Sequence, residues 1–227
     1  MSATIGDPQT FANELGLGIR NTDWKSRNIP NIWESSTRPV HVLDAPRMGV
    51  KSTEKDYLKQ TEVIASAINN CPRAWSGLIH VTRKSEARLI AQRLAQHGFA
   101  ERLWIPNEQH STDEAVTEWH SHRRNVKGAL AIAWQFWEGY NGLDEKICIV
   151  AKTPFASLGD PYERERMDYS GAFYLQRAAY KLEQGLGRTR RGRTIDYNTN
   201  DQVNGFVAIA DSNFRRVQKY LSPALRE

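Results

Sequence analysis

The sequence predicts an open α/β domain on a parallel sheet with helices on both faces, preceded by an irregular N-terminal leader. Four short apolar runs are continuous instead of alternating, as in strands covered on both faces. Helical spacing fills the intervals between them, and strands alternating with helices imply βαβ crossovers. In such a sheet, ligands gather at the carboxyl ends of the strands.

The runs are Gly77-Leu78-Ile79-His80-Val81, Ala129-Leu130-Ala131-Ile132-Ala133, Ile147-Cys148-Ile149-Val150-Ala151 and Phe206-Val207-Ala208-Ile209-Ala210. Tyr57, Thr61, Ile64, Ala65 and Ile68 recur at helical spacing, and so do Ala87, Ile90, Ala91 and Leu94, with Gly98 as a stop. Leu175, Ala178, Ala179 and Leu182 mark a third helix. Residues 1–50 fit this scheme poorly. A helix over Gln9 to Leu15 is followed by a stretch rich in Asn, Ser, Pro and Trp, with weak strand character around Val40-His41-Val42-Leu43. The expected division is therefore a leader over 1–50 and one cooperative domain over 51–227.

Composition narrows the function. The 227 residues exceed a typical domain of about 150 only modestly. At 40% hydrophobic and 25% charged, the chain has the balance of one that can bury a core. The apolar run from Ala129 to Trp134 falls far short of the roughly 20 residues of a membrane span. The N-terminus Met1-Ser2-Ala3-Thr4-Ile5-Gly6-Asp7-Pro8 has no basic region or apolar core of a signal peptide, so cytoplasm is the expected compartment. Cys71 and Cys148 lack a CxxC partner, which argues against a disulfide framework, a zinc finger or an iron-sulfur cluster held within this chain.

Lys and Arg number 31 against 26 Asp and Glu, for a formal charge of +5. The pI is about 9.2, compatible with polyanionic partners. Charge concentrates between Lys181 and Arg193, where Lys181, Arg188, Arg190, Arg191 and Arg193 face only Glu183. Taken alone, such a run is more often a solvated surface.

Several motifs fail. The phosphate loop GxxxxGK[ST] is missing, since Gly-Lys occurs nowhere. Gly16-Leu17-Gly18 and Gly185-Leu186-Gly187 lack the third glycine of a dinucleotide loop. Asp113-Glu114-Ala115-Val116 follows a polar segment, so Ser111-x-x-Glu114 reads as a capping box opening a helix. His120 and His122 on that helix would point to different faces, against a shared metal.

Gln184, Arg188 and Arg191 stand at i, i+4 and i+7, which aligns them on one helical face. Guanidinium groups so placed suit bidentate contact with phosphate oxygens, including an arginine that stabilises phosphoryl transfer across a domain interface. Arg190 and Arg193 would lie opposite.

In context, this QxxGRxxR pattern belongs to an ordered set. Ser2-Ala3-Thr4 with Phe11 and Leu15-Gly16-Leu17 looks like a SAT motif and the segment after it. Leu78-Ile79-His80-Val81-Thr82-Arg83-Lys84 is similar to motif IV. Phe136-Trp137-Glu138-Gly139 resembles the FWEG signature of motif V. Lys152-Thr153-Pro154-Phe155 with Asp160-Pro161 looks like the KLPF...DP segment, and Gln184 to Arg191 resembles the QAIGRxIR form of motif VI. From Ser2 to about Asp211, the chain resembles the second, RecA-like motor domain of superfamily 2 DNA helicases of the XPD/DinG type.

That resemblance implies an ATP-dependent helicase with its nucleotide between two RecA-like domains. Arg191 is then the candidate arginine finger and Arg188 a second γ-phosphate contact. Gln184, Glu138, Gly139 and Asn141 would line the same cleft, Asn141 standing where the family places Asp. Thr82, Arg83 and Lys84 would hold phosphates of single-stranded DNA, and Trp137 or Trp134 could stack on a base. Core packing is the competing role of both tryptophans. ATP and Mg2+ would be held mainly by a first motor domain carrying the phosphate loop, in cis or in trans, so this chain alone is expected to hydrolyse no ATP. The alternative is a nucleic-acid-binding or docking module without ATPase activity.

Overall fold

The computed structural model describes residues 40–137, 140, 145–187 and 205–221, together with the single positions Ala12 and Lys25. Their elements are β1 (Val40–Val42), α1 (Glu54–Asn69), β2 (Gly77–His80), α2 (Lys84–Leu94), β3 (Leu103–Trp104) and α3 (Thr112–Asn125). They continue with β4 (Leu130–Ala133), β5 (Ile147–Val150), α4 (Pro161–Tyr169), α5 (Gly171–Gly187), β6 (Phe206–Ile209) and α6 (Phe214–Val217). The strands form one sheet in the order β1-β6-β5-β2-β4-β3, and every pairing is parallel.

The four continuous apolar runs are the four long strands. Every residue of β2, β4 and β5 is buried, because both faces are covered. Ile79, Ile132, Ile149 and Ala208 pack with Ile64, Ile68, Ile90 and Leu94 of α1 and α2. On the other face, Leu78 and Ala131 pack with Trp119 of α3. Cys148, Val150, Val207 and Ile209 pack with Ala178, Ala179 and Leu182 of α5 and Phe214 and Val217 of α6. Gly77 is required by this packing, since a Cβ there would lie 2.4 Å from the Cβ of Ile147.

Helix ends follow local chemistry. Ser111 and Glu114 form the expected capping box of α3, with the Ser111 N–H donating to Glu114 Oε2 at 2.7 Å. A second box, Thr53 with Asp56, opens α1. After Leu94, the α2 helix passes into a π-helical turn over Ala95–Phe99 that holds Gly98 at φ 87°. The sheet also takes in Val40–Val42, ahead of the domain start at residue 51, because β1 pairs with β6 as an edge strand. Leu103–Trp104 is a strand the sequence pattern does not mark. Cys148 is fully buried, whereas Cys71 is half-buried, and partial burial raises its thiol pKa.

Candidate functional site

The carboxyl ends of the strands surround a cleft of about 880 Å³. Its walls are the segments that follow β1, β2, β4, β5 and β6, closed on one side by Tyr174, Ala178, Lys181 and Gln184 of α5. Arg47, Arg83, Lys152, Arg177, Lys181 and Arg216 line it, and no lining residue is a carboxylate. Among the described residues, the cleft therefore concentrates one sign of charge beside Trp134, Phe155 and Tyr174.

Carboxylates behind the wall hold its loops. Asp211, fully buried just past β6, accepts three backbone N–H groups: Met48 at 3.0 Å, Asn213 at 2.9 Å and Thr153 at 2.8 Å. One side chain thus ties together the exits of β1, β5 and β6. Asn213 extends the knot, donating to the Met48 carbonyl at 2.6 Å and accepting from Arg47 Nε at 2.9 Å. Glu86, 5% exposed, accepts the Thr82 N–H at 3.2 Å and the Thr82 hydroxyl at 2.9 Å. Its other oxygen pairs with the Lys152 ammonium, so motif IV is joined to the segment after β5. Gln60 of α1 bridges the carbonyls of Ala151 and Ala210 beneath these loops.

The tryptophans divide their roles. Trp137 is 3% exposed, and its indole N–H donates to the Val81 carbonyl at 2.7 Å. Its ring lies 4.7 Å from the His80 ring, and a Cβ on Gly185 would approach it to 2.7 Å. Trp137 lines the cleft and is at the same time a packed strut between motifs IV, V and VI, the core-packing role weighed against base stacking. Its donor is taken by the protein. Trp134 is half-buried beside the cleft, with the Lys84 ammonium 5.9 Å from its ring centroid. Deeper in motif V, Phe136 and Tyr140 stack 4.5 Å apart. The Tyr140 hydroxyl donates to buried Glu145, and Trp119 Nε1 donates to Tyr140 at 3.0 Å. Burial, then the nearby Glu145 carboxylate, raise the Tyr140 pKa far above the usual phenol value.

Of the sequence-predicted residues, the structure brings Thr82, Arg83, Trp137 and Gln184 to the cleft, with Lys84 above the neighbouring Trp134. Thr82 is half-buried, while Arg83 and Lys84 are exposed. Glu138, Gly139, Asn141, Arg188 and Arg191 lie outside the described residues, as do Arg190, Arg193 and the SAT segment. On α5, Arg177, Lys181 and Gln184 share one face at i, i+4 and i+7. Sequence reasoning missed Arg47, Lys152, Arg177 and Arg216 as wall cations and Asp211 as their organiser. The one signal for Asp211 was its position directly after a buried apolar run. His120 and His122 sit on α3, and among the described residues no group of His, Cys, Asp and Glu could hold a metal ion.

The sequence profile of the helicase C-terminal domain matches residues 71–227. The chain belongs to that family. Among solved structures it is similar to the C-terminal domain of the DEAD-box protein Dbp5, with TM-score 0.52 and 16% identity over 81% of this chain and 85% of that one. It is also similar to a variant S. cerevisiae Dbp5 C-terminal domain bound to Gle1 and IP6, with TM-score 0.49 and 14% identity over 81% and 84%. T4 UvsW gives TM-score 0.42 and 12% identity over 79% and 33%. At 16% identity the likeness to the Dbp5 domain shows the fold alone, that of a RecA-like helicase C-terminal domain. No curated protein matches the sequence. Among the described residues, no helix is long and apolar enough to cross a membrane.

Proposed function

We propose that this helicase C-terminal domain is the second motor domain of an ATP-dependent DNA helicase of the XPD/DinG type, and that its cleft carries part of the single-stranded DNA track. The observation that supports this reading is the cleft at the strand ends, lined among the described residues by six cations and no carboxylate, with aromatic rings beside them. Single-strand binders combine those two features, because phosphates need positive charge and every base offers a face to a ring. Arg83, Lys84, Lys152 and Arg216 would meet phosphates, and Trp134 and Phe155 are the rings at hand.

Nucleotide chemistry belongs to the interface with a first motor domain, in cis or in trans. That domain would hold ATP and Mg2+ through its phosphate loop and acidic box. The α5 row of Arg177, Lys181 and Gln184 precedes Arg188 and Arg191 in the sequence, and two cations with an amide form a donor set that fits a triphosphate. Bound ATP supplies the phosphoryl group, and the residues of this chain orient it and neutralise charge. Arg191 stabilises the γ-phosphate in the transition state, Arg188 makes a planar second contact, and Gln184 orders the pair. Glu138, Gly139 and Asn141 would complete that wall.

Steady-state ATP turnover of the complete two-domain protein tests the assignment. Arg191→Ala should lower turnover on the order of 10³-fold or more with little change in DNA affinity. Arg190→Ala and Arg193→Ala should leave turnover largely intact, and equal small losses across the arginines would remove the assignment. Asn141, in place of the Asp expected after FWEG, favours a second reading, a binding module without ATPase activity. Stimulation of turnover by single-stranded DNA in the two-domain protein would exclude it.

A further inference from the structure

We propose that a second basic groove, along α6 and the turn after it, carries single-stranded DNA onward from the cleft, an inference that rests on the cleft being the DNA track. Leu175, Arg215, Arg216, Gln218 and Lys219 line this groove of about 620 Å³, with no carboxylate among the described residues. Arg216 belongs to both walls, so the two basic surfaces are continuous.

Folding explains why these cations share one side. Phe214, Val217 and Leu221, at i, i+3 and i+7, are buried at 2%, 0% and 1% exposure and fasten the segment to the core. Arg215, Arg216 and Lys219 are left together on the exposed face. Among the described residues, none of the three forms an ion pair. Three neighbouring cations repel one another, and a polyanion laid along them relieves that repulsion while releasing its counterions.

The geometry at the junction suits a strand. The Arg216 guanidinium stands 5.3 Å from the Phe155 ring centroid, and Phe155 stacks on Tyr174 at 5.8 Å with 12° between planes. Beyond it, the Lys219 ammonium lies 4.9 Å from the Tyr220 ring centroid. A cation thus stands beside a ring at the junction, a pairing that sequence-tolerant single-strand binders use. A short oligonucleotide fills the cleft alone, whereas a longer one reaches α6.

The test is fluorescence anisotropy of the 227-residue chain with labelled oligothymidylates of about 6 and about 15 nucleotides over a range of salt. The double variant Arg215→Ala/Lys219→Ala should lose about 10-fold in affinity for the longer strand, with the salt slope shallower by about 1.4. The short strand should be unaffected. Arg215→Lys/Lys219→Arg, which keeps both charges, should restore the slope, and Arg216 stays unchanged because it packs on Phe155. Loss of affinity equal for both lengths, or an unchanged slope with the longer strand, overturns the groove while leaving the cleft intact. Failure of the unchanged chain to bind either length overturns both.

Discussion

Thr82 donates its hydroxyl to Glu86 at 2.9 Å, and the same carboxylate holds the Lys152 ammonium with its other oxygen. The turn after β2 is thus built on a buried anion, and a cation of the cleft wall is held by the same group. Glu86→Ala should cost about 2–4 kcal/mol in urea unfolding, since it strands a mostly buried lysine and two donors. Glu86→Gln keeps an acceptor for Thr82 and should cost less. Equal losses would mean that the Thr82 contact contributes nothing.

Asp211 should be the most sensitive polar position of the cleft. Asp211→Ala leaves the Met48, Thr153 and Asn213 amides without their acceptor, for a loss of about 3 kcal/mol or more. Asp211→Asn retains one acceptor oxygen and should fall between. A variant with unchanged unfolding midpoint would show that water replaces the carboxylate.

Gly185→Ala places a methyl group 2.7 Å from Trp137 and forces the indole off its hydrogen bond to Val81. The expected loss is about 1–3 kcal/mol, with a red-shifted tryptophan emission as the ring gains solvent. Unchanged stability and emission would show that the wall between motifs V and VI yields freely.

These positions also show what sequence can and cannot disclose. Gly77–His80, Leu130–Ala133, Ile147–Val150 and Phe206–Ile209 were legible because strands covered on both faces are apolar at every residue. Leu103–Trp104 is too short and too exposed to leave a pattern, and Val40–Val42 is an edge with one partner. The Ser111 box was visible because capping is local. The knot at Asp211 was not, since its partners Met48 and Thr153 are remote in the chain and meet only when β1, β5 and β6 align. Trp134 and Trp137 differ by three positions and looked alike. Topology turns one inward against Gly185 and leaves the other beside Lys84.

The two capping boxes predict a shared acid sensitivity. Backbone and side-chain hydrogen bonds from Thr53 and Ser111 lower the pKa of Asp56 below 3.8 and of Glu114 below 4.5. A carboxyl group with a depressed folded pKa stabilises the fold above its unfolded value and loses that contribution as pH falls through the folded one. The α1 and α3 caps should therefore hold fully above pH 4.5 and weaken below it. Carboxyl NMR titration should place both midpoints below the ordinary values, and Ser111→Ala, which keeps the backbone N–H but removes the hydroxyl, should return Glu114 only part of the way toward 4.5. A midpoint unmoved by that change would contradict the cap.

The central claim is that the cleft at the strand ends holds single-stranded DNA. It is tested most directly by the affinity of the 227-residue chain for a short oligothymidylate as salt is raised, with and without Arg83→Ala and Lys84→Ala. Affinity should fall linearly with log salt, and each variant should bind more weakly with a slope shallower by about 0.7. Binding that ignores salt, or that keeps its full strength when both cations are removed, would contradict the account.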